Sequence, residues 1–310
     1  MAAGHRPVLL EEAVAALDVG GDAAVVDATF GGGGHARRVL AELGPDGTLI
    51  GVDRDPEAAG RARELLSDER FAFVAGPFDE VLWGMVEEGE RADAVLFDLG
   101  LSSFQIDAAG RGFSYVAGGP LDMRMDPGAG PSAAEYLNGV EVADLIRTLV
   151  SYGDVPRGEA RRVAREILRR RPLSTTTELH DAVRAAVGWK ERGGNPAKRV
   201  FQAVRVHVND ELGGVRRALE ATERLLVPGG RLVVITFHSG EDRLVKRFIA
   251  EREGRCVCPP ELPVCVCGAS PVFRRGVVAR PSEDEIRENP RSASARLRSA
   301  IRTAEAAGDG

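Results

Sequence analysis

The stretch "VVDATFGGGGHARRVL", residues 25–40, decides the fold. Its apolar, β-branched start, Val25–Thr29, reads as a buried strand, four glycines follow, and His35–Leu43 reads as a helix. A strand, a glycine loop and a helix in that order leave backbone N–H groups pointing outward at a helix start, with no side chains to hold a ligand off. Gly31-x-Gly33-x-x-Ala36 fits the dinucleotide-binding spacing, and Asp53 stands at the end of the next strand, where an acid binds a ribose.

The pattern continues outward from this loop. Gly44-Pro45-Asp46-Gly47 is a turn, Thr48–Asp53 a strand, and Pro56–Leu66 a helix with proline at its start, where the missing N–H costs nothing. Phe71–Ala75, Phe78–Glu88 and Ala94–Leu99 extend the series. Short apolar strands alternating with helices predict an α/β fold, a doubly wound and mostly parallel sheet. The series stops at Leu99 and resumes near residue 209, where a helical stretch leads into Pro228-Gly229-Gly230 and a buried strand, Arg231–Phe237. The gap is therefore an insertion. It carries helix-start signals of its own, a capping box at Thr175-Thr176-Thr177-Glu178 and an N-cap with proline at Asn195-Pro196.

Carboxylates narrow the ligand. Asp27 lies just before the glycine loop, and Asp98 in "VLFDLGLSSFQID" ends another strand on the same sheet edge. Negative groups repel a pyrophosphate and attract a cation, so S-adenosylmethionine, with its sulfonium and amino group, fits better than NAD.

Composition sets outer bounds. The 310 residues are 44% hydrophobic and 28% charged, as in a soluble globular protein. No apolar run reaches membrane-spanning length and MAAGHRPVLLEEA has no signal-peptide pattern, so a cytoplasmic protein without membrane contact is expected. The net charge of −6 hides a split. Residues 1–100 carry 8 Lys/Arg against 20 Asp/Glu, residues 157–205 carry 13 against 5, and residues 271–302 carry 8 against 4. An acidic half beside basic segments fits a polyanion met by part of the molecule, or a salt-bridged solvated face. Cys256, Cys258, Cys265 and Cys267 are too close together for a chain-wide disulfide framework. Their Cys-x-Cys spacing is not the usual zinc knuckle, and reduced structural thiols are as compatible with it as a zinc site.

The chain resembles the bacterial 16S ribosomal RNA (cytosine-N4)-methyltransferases nearly end to end. The likeness rests on HRPVLLEEA, DATFGGGGH, VDRDP, GPF, FDLGLSSFQID, RGFSY, GPLDMRMD, NPAKRVFQAVRVHVNDEL, PGGRLVVITFHSGEDRLVKRF and NPRSASARLR. Phe104 stands where the family usually has proline, and Gly240 where it usually has leucine. The resemblance implies a Rossmann-like class I methyltransferase domain over residues 1–106 and 207–310, with a helical substrate-recognition insertion over 107–206. It implies S-adenosyl-L-methionine as cofactor, with no catalytic metal. The partner it implies is 16S ribosomal RNA, met within the small ribosomal subunit; the oligomeric state stays open. By the same resemblance Gly33, Gly34 and His35 form the turn under the methionine part, Asp53 binds the ribose and Phe78 lies against the adenine. Asp98 sits by the methionine amino group and the methyl, and Gln105 closes over the site.

A cytosine amine is a poor nucleophile, so the enzyme must align it and accept its hydrogens. Asp98 can accept an N–H. His238, in "TFHSGEDR", falls on the ligand edge of the sheet and is a second candidate to take the proton, or else a helix cap. In the insertion, Glu159–Arg171 reads as a helix burying Val163, Ile167 and Leu168, with Arg165, Arg169 and Arg170 outside to grip phosphates. A dehydrogenase on the same architecture and a non-enzymatic RNA-binding assembly factor are the competing classes. The acidic edge counts against the first, and the intact glycine loop and ribose acid against the second.

Overall fold

The computed structural model describes residues 7–188, 195–254 and 271–303; the four cysteines lie outside these residues. The chain opens with helix α1 (Leu10–Leu17) and then alternates: β1 (Ala24–Asp27), α2 (Gly34–Leu40), β2 (Thr48–Asp53), α3 (Pro56–Ala62), β3 (Phe71–Ala75), α4 (Phe78–Glu87) and β4 (Ala92–Asp98). Six helices follow without a strand: α5 (Ser103–Asp107), α6 (Ala133–Gly139), α7 (Val142–Gly153), α8 (Arg157–Arg170), α9 (Thr176–Val187) and α10 (Ala197–Val208). The alternation then returns with α11 (Glu211–Leu225), β5 (Leu226–Thr236), α12 (Ser239–Arg252), β6 (Phe273–Ala279), α13 (Glu283–Glu288) and β7 (Arg296–Arg302).

Two compact units result, residues 1–100 with 212–310, and residues 101–211. The first holds a seven-stranded sheet in the order β3-β2-β1-β4-β5-β7-β6. β1 to β5 run parallel, and β7 is antiparallel to both of its neighbours. This is the doubly wound, mostly parallel sheet that the sequence pattern predicts. The central strands β1, β2, β4 and β5 are apolar on both faces because helices cover both. Val25, Leu49, Leu96 and Val233 point into a core with α1 and α2, while Val26, Val52, Val95 and Val234 point into the opposite core with α4, α11 and α12. The strand order reverses beside β1, whose neighbours are β2 and β4, and ligands of open α/β sheets bind outside the carboxyl ends at such a reversal. Asp27, Asp53 and Asp98 are the last residues of β1, β2 and β4.

The local reading meets the structure closely in the first hundred residues: β2 and β3 have the expected bounds. β5 starts earlier than expected, at Leu226, because Pro228-Gly229-Gly230 is absorbed in an irregularity of its pairing with β4, with Gly229 at φ +88°. The sequence reading did not find β6 and β7. β7 is half polar (RLRSAIR) and takes its place only by pairing on both sides.

The insertion's bounds sit a few residues outside the expected 107–206, and the contacts say why. The capped helix α5 packs on the turn that follows it, and at the other end Asn209 is tied into the insertion. Its Oδ1 accepts from Met125 N (2.7 Å) and its Nδ2 donates to Met123 O (2.7 Å). The core of this unit is made by α7 to α10. α8 buries Ala160, Val163, Ala164 and Ile167, the i, i+3, i+4, i+7 stripe of an amphipathic helix. Thr175 and Glu178 form the expected capping box of α9, and Asn195 accepts from Ala197 N to start α10. Among the described residues no helix is long and apolar enough to cross a membrane.

Replacing Asn209 by Ala leaves one buried backbone donor and one buried acceptor without their partners. The expected loss is about 2–3 kcal/mol of stability, read as a lower urea midpoint in equilibrium unfolding. An unchanged midpoint would show that these bonds contribute nothing net.

Candidate functional site

The glycine loop is built by side chains from three directions. Phe30 O accepts from Gly33 N (2.8 Å), closing a turn with Gly31 at φ +55° and Gly33 at φ +72°, values that glycine adopts freely. Asp53 Oδ2 accepts from Gly31 N (2.7 Å), Arg61 Nε donates to Gly31 O (2.8 Å), and Arg37 Nη1 donates to Gly32 O (2.8 Å). The loop is therefore held in shape by the protein itself.

The same geometry explains two glycines differently from the expectation that a ligand needs the space. A Cβ on Gly33 would lie 2.6 Å from the Phe30 ring, and one on Gly34 would lie 2.2 Å from the Pro7 ring. What presses on the backbone at these positions is the chain's own packing. His35, next along α2, is buried, and its Nδ1 lies 3.5 Å from Asp98 Oδ2.

Asp53 serves the loop and its own strand end: Oδ1 accepts from Asp55 N (2.9 Å). Burial raises its carboxyl above the ordinary value, and the N–H donors from Asp55 and Gly31 oppose the rise. Each oxygen accepts one such bond and keeps a lone pair for a hydroxyl.

Asp27 is 1% exposed. Its Oδ1 accepts from Thr29 N (3.2 Å), while Oδ2 has no hydrogen-bond partner among the described residues. Desolvation pushes its carboxyl up to about 7, the Thr29 N–H opposes this, and the Asp53 charge adds to it. Asp98 is anchored through its backbone, whose N–H donates to Thr29 Oγ1 (2.6 Å), and its Oδ1 is also unpartnered. Although 24% of the side chain's surface is exposed, loss of hydration is the largest cause that lifts Asp98 well above the usual carboxylate range; Asp27 and Glu241 add to it. The sheet thus brings Asp27, Asp53 and Asp98 together at the ends of adjacent strands and leaves two buried oxygens with nothing to bind. Such a site fits a cationic ligand bearing hydroxyls, as S-adenosylmethionine is.

Phe78 starts α4 and is half-buried, edge-on to Phe97 with centroids 5.7 Å apart. Part of the ring is therefore core. Gln105 is buried and completes the capping box of α5: its N–H donates to Ser102 Oγ (3.3 Å), and its Oε1 accepts from Ser102 N (3.0 Å). Phe104, one of the two departures, is exposed.

His238 is the N-cap of α12. Its Nδ1 accepts from Gly240 N (3.2 Å) and Glu241 N (3.4 Å), and its Nε2 lies 3.1 Å from Glu241 Oε1. The ring's basic lone pair is spent on the helix start, so this geometry replaces the proton-acceptor role with the capping one. A Cβ at Gly240 would lie 3.1 Å from the His238 ring, so a side chain at that second departure crowds the cap.

The Asp27 carboxyl carries a pH signature. Its folded value of about 7 lies above the ordinary 3.8, so the folded state holds the proton more tightly and stability falls as pH rises between these values, levelling above them. The full effect is at most about 4 kcal/mol. Asp27→Asn should flatten this part of the stability-against-pH curve of the cofactor-free protein, measured by thermal unfolding across the acidic range. An unchanged curve would mean that Asp27 titrates normally.

The model of the MraW methylase family matches residues 2–303. The ribosomal RNA small subunit methyltransferase H of Rubrobacter xylanophilus is 75% identical over 306 residues, covering 99% of this chain and 98% of its own. The proteins of the same name from Heliobacterium mobile and Symbiobacterium thermophilum are 46% identical over 310 residues and 45% identical over 318. They cover 95% and 97% of this chain, and 97% and 98% of their own. Sheet order, strand-end carboxylates and sequence agree: the chain belongs to the MraW methylase family, S-adenosyl-L-methionine-dependent methyltransferases.

Proposed function

We propose that this methylase transfers a methyl group to the exocyclic N4 amine of a cytosine in the decoding centre of 16S ribosomal RNA, presented within the small ribosomal subunit. The relatives' names supply the RNA, and the sequence resemblance supplies the cytosine amine. The observation that carries the chemistry is Asp98: a strand-end carboxylate, desolvated, with Oδ1 unsatisfied.

S-adenosyl-L-methionine, when bound, supplies an electrophilic methyl on a sulfonium. Gly33, Gly34 and His35 hold its methionine part, Asp53 the ribose hydroxyls, and Phe78 the adenine. Gln105 keeps the covering role that the resemblance implies. Asp27 and Asp98 balance the cofactor's positive charge, which lowers the cost of burying both carboxylates. Asp98 accepts an N–H of the amine, turning the nitrogen lone pair out of conjugation, and takes the proton once the nitrogen is cationic. Its raised pKa suits that task.

Asp98→Asn keeps the shape and removes the acceptor. Methyl transfer to small subunits from cells lacking the modification should fall by about 10²-fold or more, with the protein still folded. Digestion of the labelled RNA and mass spectrometry identify the product. A methyl on a ring carbon, or on another base, would sink the N4 reading.

The insertion is proposed to grip the RNA, but not through every arginine the sequence offered. Glu166 accepts from Arg169 Nη2 (2.7 Å) and Arg170 Nε (2.7 Å), and these bonds hold its carboxyl down at about 2. That pairing neutralises part of the charge. Arg161 and Arg165 are exposed on the same helix with no salt bridge among the described residues. Changing Arg161 and Arg165 to Ala should reduce the salt dependence of RNA binding by about 0.7–0.9 in slope per lost phosphate contact. Changing Arg169 and Arg170 should reduce it less. Equal slopes in both variants and the parent would show that the helix does not touch phosphate.

A further inference from the structure

Three aromatic rings from three helices meet on the insertion's surface, and nothing above uses them. His207 sits in the last turn of α10, Tyr136 in α6 and Tyr152 in α7. The centroids of His207 and Tyr136 are 4.1 Å apart at 38°, and those of His207 and Tyr152 are 6.2 Å apart at 29°. The planes are closer to parallel than to the edge-on packing usual in cores. Burial grades across the group: both tyrosines are half-buried, and His207 is exposed. The Tyr136 ring is fixed by a hydrogen bond that its Oη shares with the buried Thr148 Oγ1 (2.8 Å), and Gln202 Nε2 donates to the backbone carbonyl of Tyr152 (2.9 Å), which ties α10 to the end of α7.

The histidine is not placed there for its charge. His207 is exposed as a residue, but loss of hydration where its ring lies against Tyr136 lowers its pKa below the ordinary histidine value, with Asp210 opposing, and this favours the neutral ring and its π face. Nor is it needed to seal the core beneath, which an aliphatic side chain would do without leaving a ring in water. One cation stands beside the rings: Arg147, 72% exposed and paired with Asp144, is near enough to Tyr136 to favour its phenolate. A stacked, solvent-facing aromatic beside a cation is what an unpaired nucleobase recognises, since every base has a π face and a phosphate next to it.

We infer that Tyr136, Tyr152 and His207 form a stacking platform for one unpaired base of the RNA substrate, distinct from the base that is methylated. The assignment rests on the reading of an RNA substrate and adds to it a second point of attachment.

The test is binding of a fluorescein-labelled, single-stranded oligoribonucleotide to the full chain, alongside methyl transfer to small subunits. His207→Leu keeps the bulk and removes the ring, and should weaken binding by about tenfold or more. His207→Phe should restore it. The salt slope and the S-adenosylmethionine affinity should stay those of the parent in both, and ultraviolet crosslinking should map to peptides carrying His207 or Tyr152. Parent-like binding by His207→Leu overturns the platform. So does a loss that His207→Phe fails to restore, or one accompanied by a smaller salt slope, which would mark a polar or phosphate contact instead. If the platform fails while the parent still methylates small subunits, the methyltransferase reading stands. If the parent binds through the platform but transfers no methyl, that reading fails and the platform stands.

Discussion

Three carboxylates end three adjacent parallel strands, and most of the site follows from burying them there. Parallel pairing brings the ends of β1, β2 and β4 side by side, so Asp27, Asp53 and Asp98 share one small region of low dielectric. Desolvation raises the pKa of all three, the charge of Asp53 adds to the rise at Asp27, and the charge of Asp27 adds to the rise at Asp98. In isolation this arrangement is costly. It becomes favourable when a cation with hydroxyl groups fills the region, so the strain in the cofactor-free protein is a measure of its preference for such a ligand. The feature that makes Asp98 hard to ionise is also what suits it to the proton-accepting role proposed for it.

The glycine loop depends on this edge. Asp53 is both the acid proposed to hold the ribose and the clamp on Gly31, so on that reading cofactor recognition and loop shape are joined in one side chain. Arg61 and Arg37 fix the carbonyls that the turn leaves over, and Pro7 and Phe30 fill the space that side chains at 33 and 34 would need. A loop held from all sides keeps its N–H groups aimed without waiting for the ligand, which reduces the ordering cost of binding. Glycine here answers to the protein's own packing first.

The insertion separates the electrostatic tasks. On the proposed reading, cation binding falls to the acidic sheet edge and polyanion binding to the helical unit, so neither has to compromise the other. Within that unit charge alone is a poor guide. Glu166 takes up Arg169 and Arg170 on one turn, and Arg171 is spent on Val140 O. What remains for a partner is a thinner set of cations, beside a surface where rings are stacked and uncovered.

Local pattern determined a good deal about this protein. Runs such as VVD and TLIGVD read as buried strands from their β-branched, apolar residues next to turn signals, and the break after Leu99 marks the insertion without any coordinate. The capping boxes and the charge split are equally local, whereas the pairing of Glu166 with Arg169 and Arg170, at i+3 and i+4, came only from the structure and takes up two arginines that the sequence reading assigned to phosphate. Tertiary structure decided the rest, for a physical reason. Whether a carboxylate is basic, a ring lone pair available or a glycine obligatory depends on which groups lie within a few ångströms, and those come from far along the chain. Asp53 reaches Gly31 across 22 positions and Thr29 meets Asp98 across 69. Sequence could offer His238 as base or cap; only the folded helix start, where its Nδ1 faces two backbone N–H groups, chose between them. Tyr136, Tyr152 and His207 stand on three different helices, and no spacing in the chain announces that their rings meet.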